Sequence, residues 1–264
     1  MKKILFLSVF SLLVWSCCDN EIECCVMPES GTFELNFTTQ TQNGNMVLFQ
    51  NFDLTDGTLL NINKFQFYIS DIRLLNGNEE VPLGEVELVT FKTHSNPATA
   101  SFGETFSYYQ IPEGTYTGVK FGIGVNPELN ANTPTYYAGL GTDHVLSSGI
   151  DYWSGWESYI FTKIEGFFDR NDNGMAGGGD PDEAITYHTG IDELYREKTI
   201  NMPIEIAAGG IFALPLTVDM DKVFNSAAAV DIPNESIAHS NPLIEENMII
   251  TTKIADNLVE AIGE

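Results

Sequence analysis

Four histidines, His94, His144, His188 and His239, are the side chains of this chain best suited to holding a metal ion. A neutral imidazole nitrogen is a good ligand for copper, zinc or iron, and each such ligand needs a second partner to fix its tautomer. No two stand at His-x-His or His-x3-His spacing, so a site must be assembled from distant segments. His144 follows Asp143 and lies nine residues before Trp153. His188 sits in Ile185-Thr186-Tyr187-His188-Thr189-Gly190, at the end of an expected strand, and His239 stands just ahead of a helical pattern. His94, in Lys92-Thr93-His94-Ser95-Asn96-Pro97, reads as loop surface.

Two tryptophans, Trp153 and Trp156, share one short segment that runs into the alternating stretch Tyr159 to Glu165. Bulky indoles ahead of a strand mark either an aromatic plug closing one end of a sheet or a ligand or redox site at a strand mouth. Asp169-Arg170-Asn171-Asp172-Asn173-Gly174, followed by Asp180, fits the spacing of a calcium loop, in which several oxygens surround a turn that glycine permits. The twelfth loop position holds Asp rather than Glu, and an acidic Asn/Gly hairpin is the plain alternative. All four cysteines stand at 17, 18, 24 and 25, so the body of the chain has no thiol for catalysis or soft-metal binding. There is no Gly-x-Ser-x-Gly, His-Glu-x-x-His or phosphate-binding glycine loop, and no Cys-x-x-Cys-His for covalent haem. The expectation is a binding protein and not an enzyme.

Lys2 and Lys3 precede the apolar run Ile4 to Val14, which is too short to span a bilayer. Val14-Trp15-Ser16-Cys17 is similar to a bacterial lipobox, with Cys17 the lipidated first residue; an ordinary secretory peptide is the alternative. Residues 1–16 are then a signal peptide and 17–31 an acidic tether, whose Cys18-Asp19-Asn20-Glu21-Ile22-Glu23 resembles the export signal of Bacteroidetes surface lipoproteins. The expected place is the outer membrane, periplasmic or cell-surface facing, with membrane contact through the lipid alone. A formal net charge of −25 repels nucleic-acid phosphates and draws in cations.

The elements that must position these residues follow a period of two. Thr32 to Phe37, Phe65 to Leu74, Glu85 to Val89, Tyr116 to Val125, Tyr159 to Glu165, Thr199 to Ile206 and Ile211 to Val218 alternate between apolar and polar. Asn76-Gly77, Pro112-Glu113-Gly114 and Ala208-Gly209-Gly210 read as turns. The expected fold is all-β, an antiparallel β-sandwich within one domain, 32–264. A C-terminal amphipathic helix should begin at Ser240-Asn241-Pro242 and pack through Ile244, Met248, Leu258 and Ile262. A short helical turn is expected at Asp219 to Phe224.

Five stretches, in order, resemble motifs of the MbnP-like family, the methanobactin-associated periplasmic copper-binding proteins and their lipoprotein relatives. They are Phe65-Gln66-Phe67-Tyr68-Ile69-Ser70-Asp71-Ile72-Arg73-Leu74, Gly114 to Asn126, His144 to Gly166, Tyr187-His188-Thr189-Gly190, and His239 to Leu258. The resemblance implies a copper-binding β-sandwich. It also implies a tryptophan oxidised to kynurenine by a partner di-haem enzyme related to cytochrome c peroxidase and MauG, and histidines that hold copper with the kynurenine amine. Carried onto this sequence, it implies Trp153 as the modified residue, Trp156 as the alternative, and His144, His188 and His239 as ligands. The second motif tryptophan is Gly155 here, with Trp156 one residue late, and Ser158 replaces a motif glycine. The competing expectation is a metal-free surface lipoprotein that binds glycans or a protein partner, with Trp153, Trp156, Tyr136, Tyr137 and Tyr152 as an aromatic platform.

Overall fold

The computed structural model describes residues 29–141, 143–177 and 183–264; Cys17, the tether up to residue 28 and Asp180 lie outside them. The first part of the chain runs β1 (Ser30–Gln40), β2 (Asn51–Asp53), β3 (Leu59–Asn76), β4 (Glu79–Thr90), α1 (Pro97–Phe102), β5 (Glu104–Pro112) and β6 (Gly114–Ile123). The middle holds α2 (Pro127–Asn130), α3 (Pro134–Leu140), β7 (Tyr152–Trp153), β8 (Ser158–Phe168) and β9 (Glu183–Gly190). It closes with β10 (Arg196–Ile206), β11 (Ile211–Asp219), α4 (Met220–Asn225), β12 (Ile237–His239), α5 (Glu245–Ala261) and β13 (Ile262–Gly263).

Two sheets face each other. One has the order β13-β11-β1-β5; the other runs β10-β6-β3-β8-β9-β12, with β2 and β4 added to β3 and β7 to β8. Alternation drives the packing between them. Phe33, Leu35 and Phe37 of β1 point inward, and the Phe37 ring meets Phe67 at 5.8 Å and Phe121 at 6.1 Å across the gap. The sandwich is therefore as expected, but its sheets are mixed. β1 pairs with β11 and β9 with β12 in parallel, while the other named pairs are antiparallel. Neither parallel pair is joined by a hairpin, so no short turn imposes the antiparallel sense.

The larger sheet is buried on both faces. The stretch from α2 to β7 folds over its outer side, where Tyr68, Val86, Val125, Leu129, Tyr137, Leu146, Tyr159 and Phe161 form a second apolar cluster. That explains why β8 is buried along nearly its whole length instead of on alternate residues.

The C-terminal helix forms later than expected. Asn241 accepts a bond from the Leu243 amide at 3.0 Å with its side chain and from the Ile244 amide at 2.8 Å with its carbonyl. These bonds make a turn of the Pro242 region and delay the helix to Glu245. Its buried stripe is Ile250, Ile254, Leu258 and Ala261. Ile244 is exposed, Met248 is half-buried, and Ile262 is buried within β13 and not within the helix. The expected turn after Asp219 is α4, whose first amides, Asp221 and Lys222, are capped by the Asp219 carboxylate.

His94 corrects the sequence reading. It is 0% exposed, packed edge-on against Phe91 at 4.9 Å, and neither ring nitrogen has a hydrogen-bond partner. Burial lowers its pKa from 6.5, because the charged ring would lose its water. Below 6.5 the unfolded chain therefore binds a proton that the native state resists. Stability is full above that value and falls as the pH drops toward the lower native pKa, by about 1.4 kcal/mol per pH unit for one proton. Urea unfolding of wild type and His94→Leu from about pH 7 to about pH 5 checks this, and the variant should show a flatter acid limb.

Candidate metal centre

Register builds the site. Gln66 of β3 pairs with Lys163 of β8, Lys163 with His188 of β9, and His188 with His239 of β12. Directly paired residues point to the same face of a sheet. The intervening positions Phe65, Phe67, Ile164, Tyr187 and Ala238 belong to the main core, so this four-residue row lies on the opposite, covered face.

At the end of the row the two imidazoles are stacked, with ring centroids 4.7 Å apart and planes 13° from parallel. Glu165 projects from the same side of β8, and its Oε1 lies 2.9 Å from His188 Nε2. This contact is the carboxylate–imidazole arrangement that orients a ligating histidine. Nε2 of His239 is buried with no partner. Desolvation lowers the pKa of both rings; for His188 the neighbouring His239 adds to this, and Glu165 opposes it. Both are neutral at neutral pH and keep a lone pair for a cation.

The tryptophans stand beside His239 of this pair. β7 and β8 form a hairpin in which Tyr152 pairs with Tyr159 and Trp153 with Ser158. The Trp156 amide donates to the Trp153 carbonyl at 3.1 Å and tightens the turn. The indoles stand 6.4 Å (Trp153) and 6.3 Å (Trp156) from the His239 ring and 5.8 Å from each other. Trp153 is 46% exposed, whereas Trp156 packs on Ile191, Leu194 and Ala255.

His144 lies in another neighbourhood. Its ring stacks on Tyr137 at 4.3 Å, Nδ1 accepts the Leu146 amide at 3.1 Å, and Nε2 lies 3.4 Å from Glu85. One lone pair is thus used to cap the helical turn Val145–Ser147. The structure brings together His188, His239, Trp153 and Trp156 and leaves His144 apart. Sequence reasoning missed Glu165 and Lys163 as site residues. The signal for them was a polar residue at alternate positions of an otherwise apolar strand. Among the described residues no three His, Cys, Asp or Glu side chains are arranged to hold a metal together.

The family model for MbnP matches residues 30–242. The chain belongs to the MbnP family. The solved structure of MbnP from Methylosinus trichosporium is similar in fold, with a TM-score of 0.50 at 9% identity, covering 81% of this chain and 82% of that one. No curated protein matches the chain. The MbnP match takes in His188, His239, Trp153, Trp156 and Glu165, and stops before α5.

Two other expectations can be placed on this MbnP-family framework. In the acidic loop, the Asp169 carboxylate accepts the amides of Gly174 at 2.7 Å and Asn173 at 3.2 Å. Asn171 accepts the Asn173 amide at 3.2 Å, and Asn173 accepts the Met175 amide at 2.8 Å. Left-handed φ values of 55° at Asp172 and 83° at Gly174 turn the chain around these side chains. The aromatic platform is not assembled as a whole: Tyr136 is exposed, Tyr152 is half-buried, and Tyr137 is buried with its hydroxyl donating to the Leu129 carbonyl at 2.8 Å.

Proposed function

We propose that this chain is a copper-binding envelope protein with a binding rather than a catalytic role, its ion held at His188 and His239. The observation that carries the reading is the stacked, neutral imidazole pair, with one ring oriented by Glu165 and the other leaving a buried nitrogen without a partner. An unpartnered buried nitrogen costs stability, and a ligand that binds it offsets that cost. Imidazole donors without thiols suit copper among the available ions, and membership of the MbnP family supports the same choice.

A further donor comes from the indole segment. Oxidative cleavage of the Trp153 Cγ–Cδ1 bond, with an oxygen atom added to each carbon, gives N-formylkynurenine, and hydrolysis that releases Cδ1 as formate frees the aryl amine, 6.4 Å being the present distance between the Trp153 and His239 ring centres. The oxidant is supplied by a partner di-haem enzyme of the cytochrome c peroxidase and MauG kind, since this chain has no haem-attachment motif. Trp156 is the alternative target. Metal analysis and intact mass, on protein made with and without such a partner, test the reading. Wild type that takes up no copper in either form would leave the glycan- or protein-binding lipoprotein, presented through Trp153 and Tyr136, as the better account.

The protein is placed at the outer membrane by lipid on Cys17, on the strength of the Ser16-Cys17 junction behind a short apolar run. Cys17→Ser is expected to shift it from the detergent phase to the aqueous phase; unchanged partitioning would remove the anchor.

Calcium belongs to the loop of Asp169, Asn171 and Asn173, with Asp180, outside the described residues, as a further oxygen donor. The successive side-chain turns support this, because the oxygens of alternate residues 169, 171 and 173 all fold back onto amides of the same turn. Chelator is expected to lower the melting temperature and calcium to restore it, the native state gaining about 2.7 kcal/mol at a hundredfold excess over Kd. A calcium response that survives in Asp169→Ala would reduce the loop to a turn.

A further inference from the structure

The polar row that ends in the two histidines begins with a buried ion pair. Lys163 is 5% exposed and Asp151 6%. The Lys163 ammonium lies 2.5 Å from Asp151 Oδ1 and donates to the Ile150 carbonyl at 3.0 Å. Gln66 donates to the same Asp151 oxygen at 3.0 Å, and the Tyr68 hydroxyl stands 3.5 Å from the other. Gln66 and Lys163 come from the sheet; Asp151 comes from the covering segment, two residues before Trp153.

The far end of the indole turn is also fastened. Ser158 donates to the Asn130 side chain at 3.1 Å and accepts the Ile191 amide at 2.9 Å. Between these anchors the turn is held by the Tyr152–Tyr159 and Trp153–Ser158 pairing and by Trp156 on Ile191, Leu194 and Ala255, while Ser154, Gly155 and Glu157 at its tip are exposed and Glu157 is left-handed with φ 53°.

We infer that Asp151 and Lys163 act as a clamp that positions the Trp153–Trp156 turn beside the histidine pair. The inference rests on the copper reading for its purpose, though not for its geometry. A buried ion pair is a poor source of net stability, because desolvating two charges cancels much of their attraction. An apolar pair of similar volume would hold the fold as well. What the ion pair adds is direction: the Asp151 carboxylate has donors from two sheet strands at fixed register, so the segment that carries it cannot slide. It also cancels a positive charge one strand away from His188, where an uncompensated ammonium would repel a metal cation.

The test is the double variant Asp151→Leu/Lys163→Met in the full chain, with the milder Gln66→Met, which removes one donor without stranding a charge. On metal-free protein, acrylamide quenching of tryptophan fluorescence is expected to rise severalfold in the double variant and less in Gln66→Met. Trp15 falls within the expected signal peptide, so in protein that begins at Cys17 the indole emission comes from Trp153 and Trp156. The melting temperature should stay level or increase, and copper affinity should fall about tenfold, the scale of a lost outer contact to a metal site. Quenching unchanged in both variants would overturn the clamp. Increased quenching alongside wild type that binds no copper would retain the clamp and remove the copper reading. If the double variant does not fold, Gln66→Met decides alone, and quenching equal to wild type overturns the clamp.

Discussion

Alanine at both His188 and His239 is expected to abolish stoichiometric copper binding, lowering affinity by more than about 100-fold, while His144→Ala leaves it within about twofold. The asymmetry follows from where the lone pairs are. His188 and His239 are stacked on paired strands, neutral through burial, and one has a ring nitrogen with no partner. His144 already uses Nδ1 to accept the Leu146 amide and sits face to face with Tyr137. Recruiting it would uncap a turn and unstack a ring. Glu165→Ala should cost about 10- to 100-fold, since it orients His188 without being counted among the ligands. Copper titration monitored by metal analysis after desalting checks all three. A His188→Ala/His239→Ala protein that still binds one equivalent would refute the assignment.

The fold was legible because most of its strands have one apolar face. Phe33, Leu35 and Phe37, or Phe65, Phe67 and Ile69, report their own side of a sheet. Pairing sense was not legible, because nothing local records that β12 lies beside β9. Ile237-Ala238-His239 is too short to show a period, yet it is the strand that brings His239 to His188. Nearness in sequence pointed instead to His144, which precedes Trp153 but caps its own turn. His94 was misread for a related reason. Lys92, Thr93, Ser95 and Asn96 surround it with polar residues, so its segment resembles a surface loop. In the structure Asn96 caps α1, accepting the Thr99 amide at 3.0 Å, and the imidazole turns in to Phe91. The Lys163–Asp151 pair was equally hidden. Charged residues are ordinarily solvated, and only the covering segment, itself unforeseen, buries these two.

Under the proposed oxidation by a di-haem partner, Trp153 and not Trp156 is the expected target. Their distances to His239 are nearly equal and cannot discriminate. Access can: Trp153 is 46% exposed at the tip of the hairpin, whereas Trp156 is wedged against Ile191, Leu194 and Ala255. Electron removal does not discriminate either, since indoles 5.8 Å apart exchange a hole readily, but the oxygen that opens the ring arrives from solvent and meets the exposed indole. Ring opening also needs room for added oxygen beside the pyrrole edge. Gly155 provides that room, since a Cβ there would stand 2.7 Å from Trp153 Nε1 and 3.2 Å from Cδ1, the carbon at the bond that breaks. Peptide mass spectrometry after co-expression should find kynurenine at position 153. It should be absent from Trp153→Phe, retained in Trp156→Phe, and reduced about tenfold in Gly155→Ala, whose methyl group displaces the indole without straining the backbone. Full conversion at Trp156 in the Trp153→Phe protein would show that access does not select the target. The stacked histidines would then have to be matched to an amine arriving from the buried side of the turn.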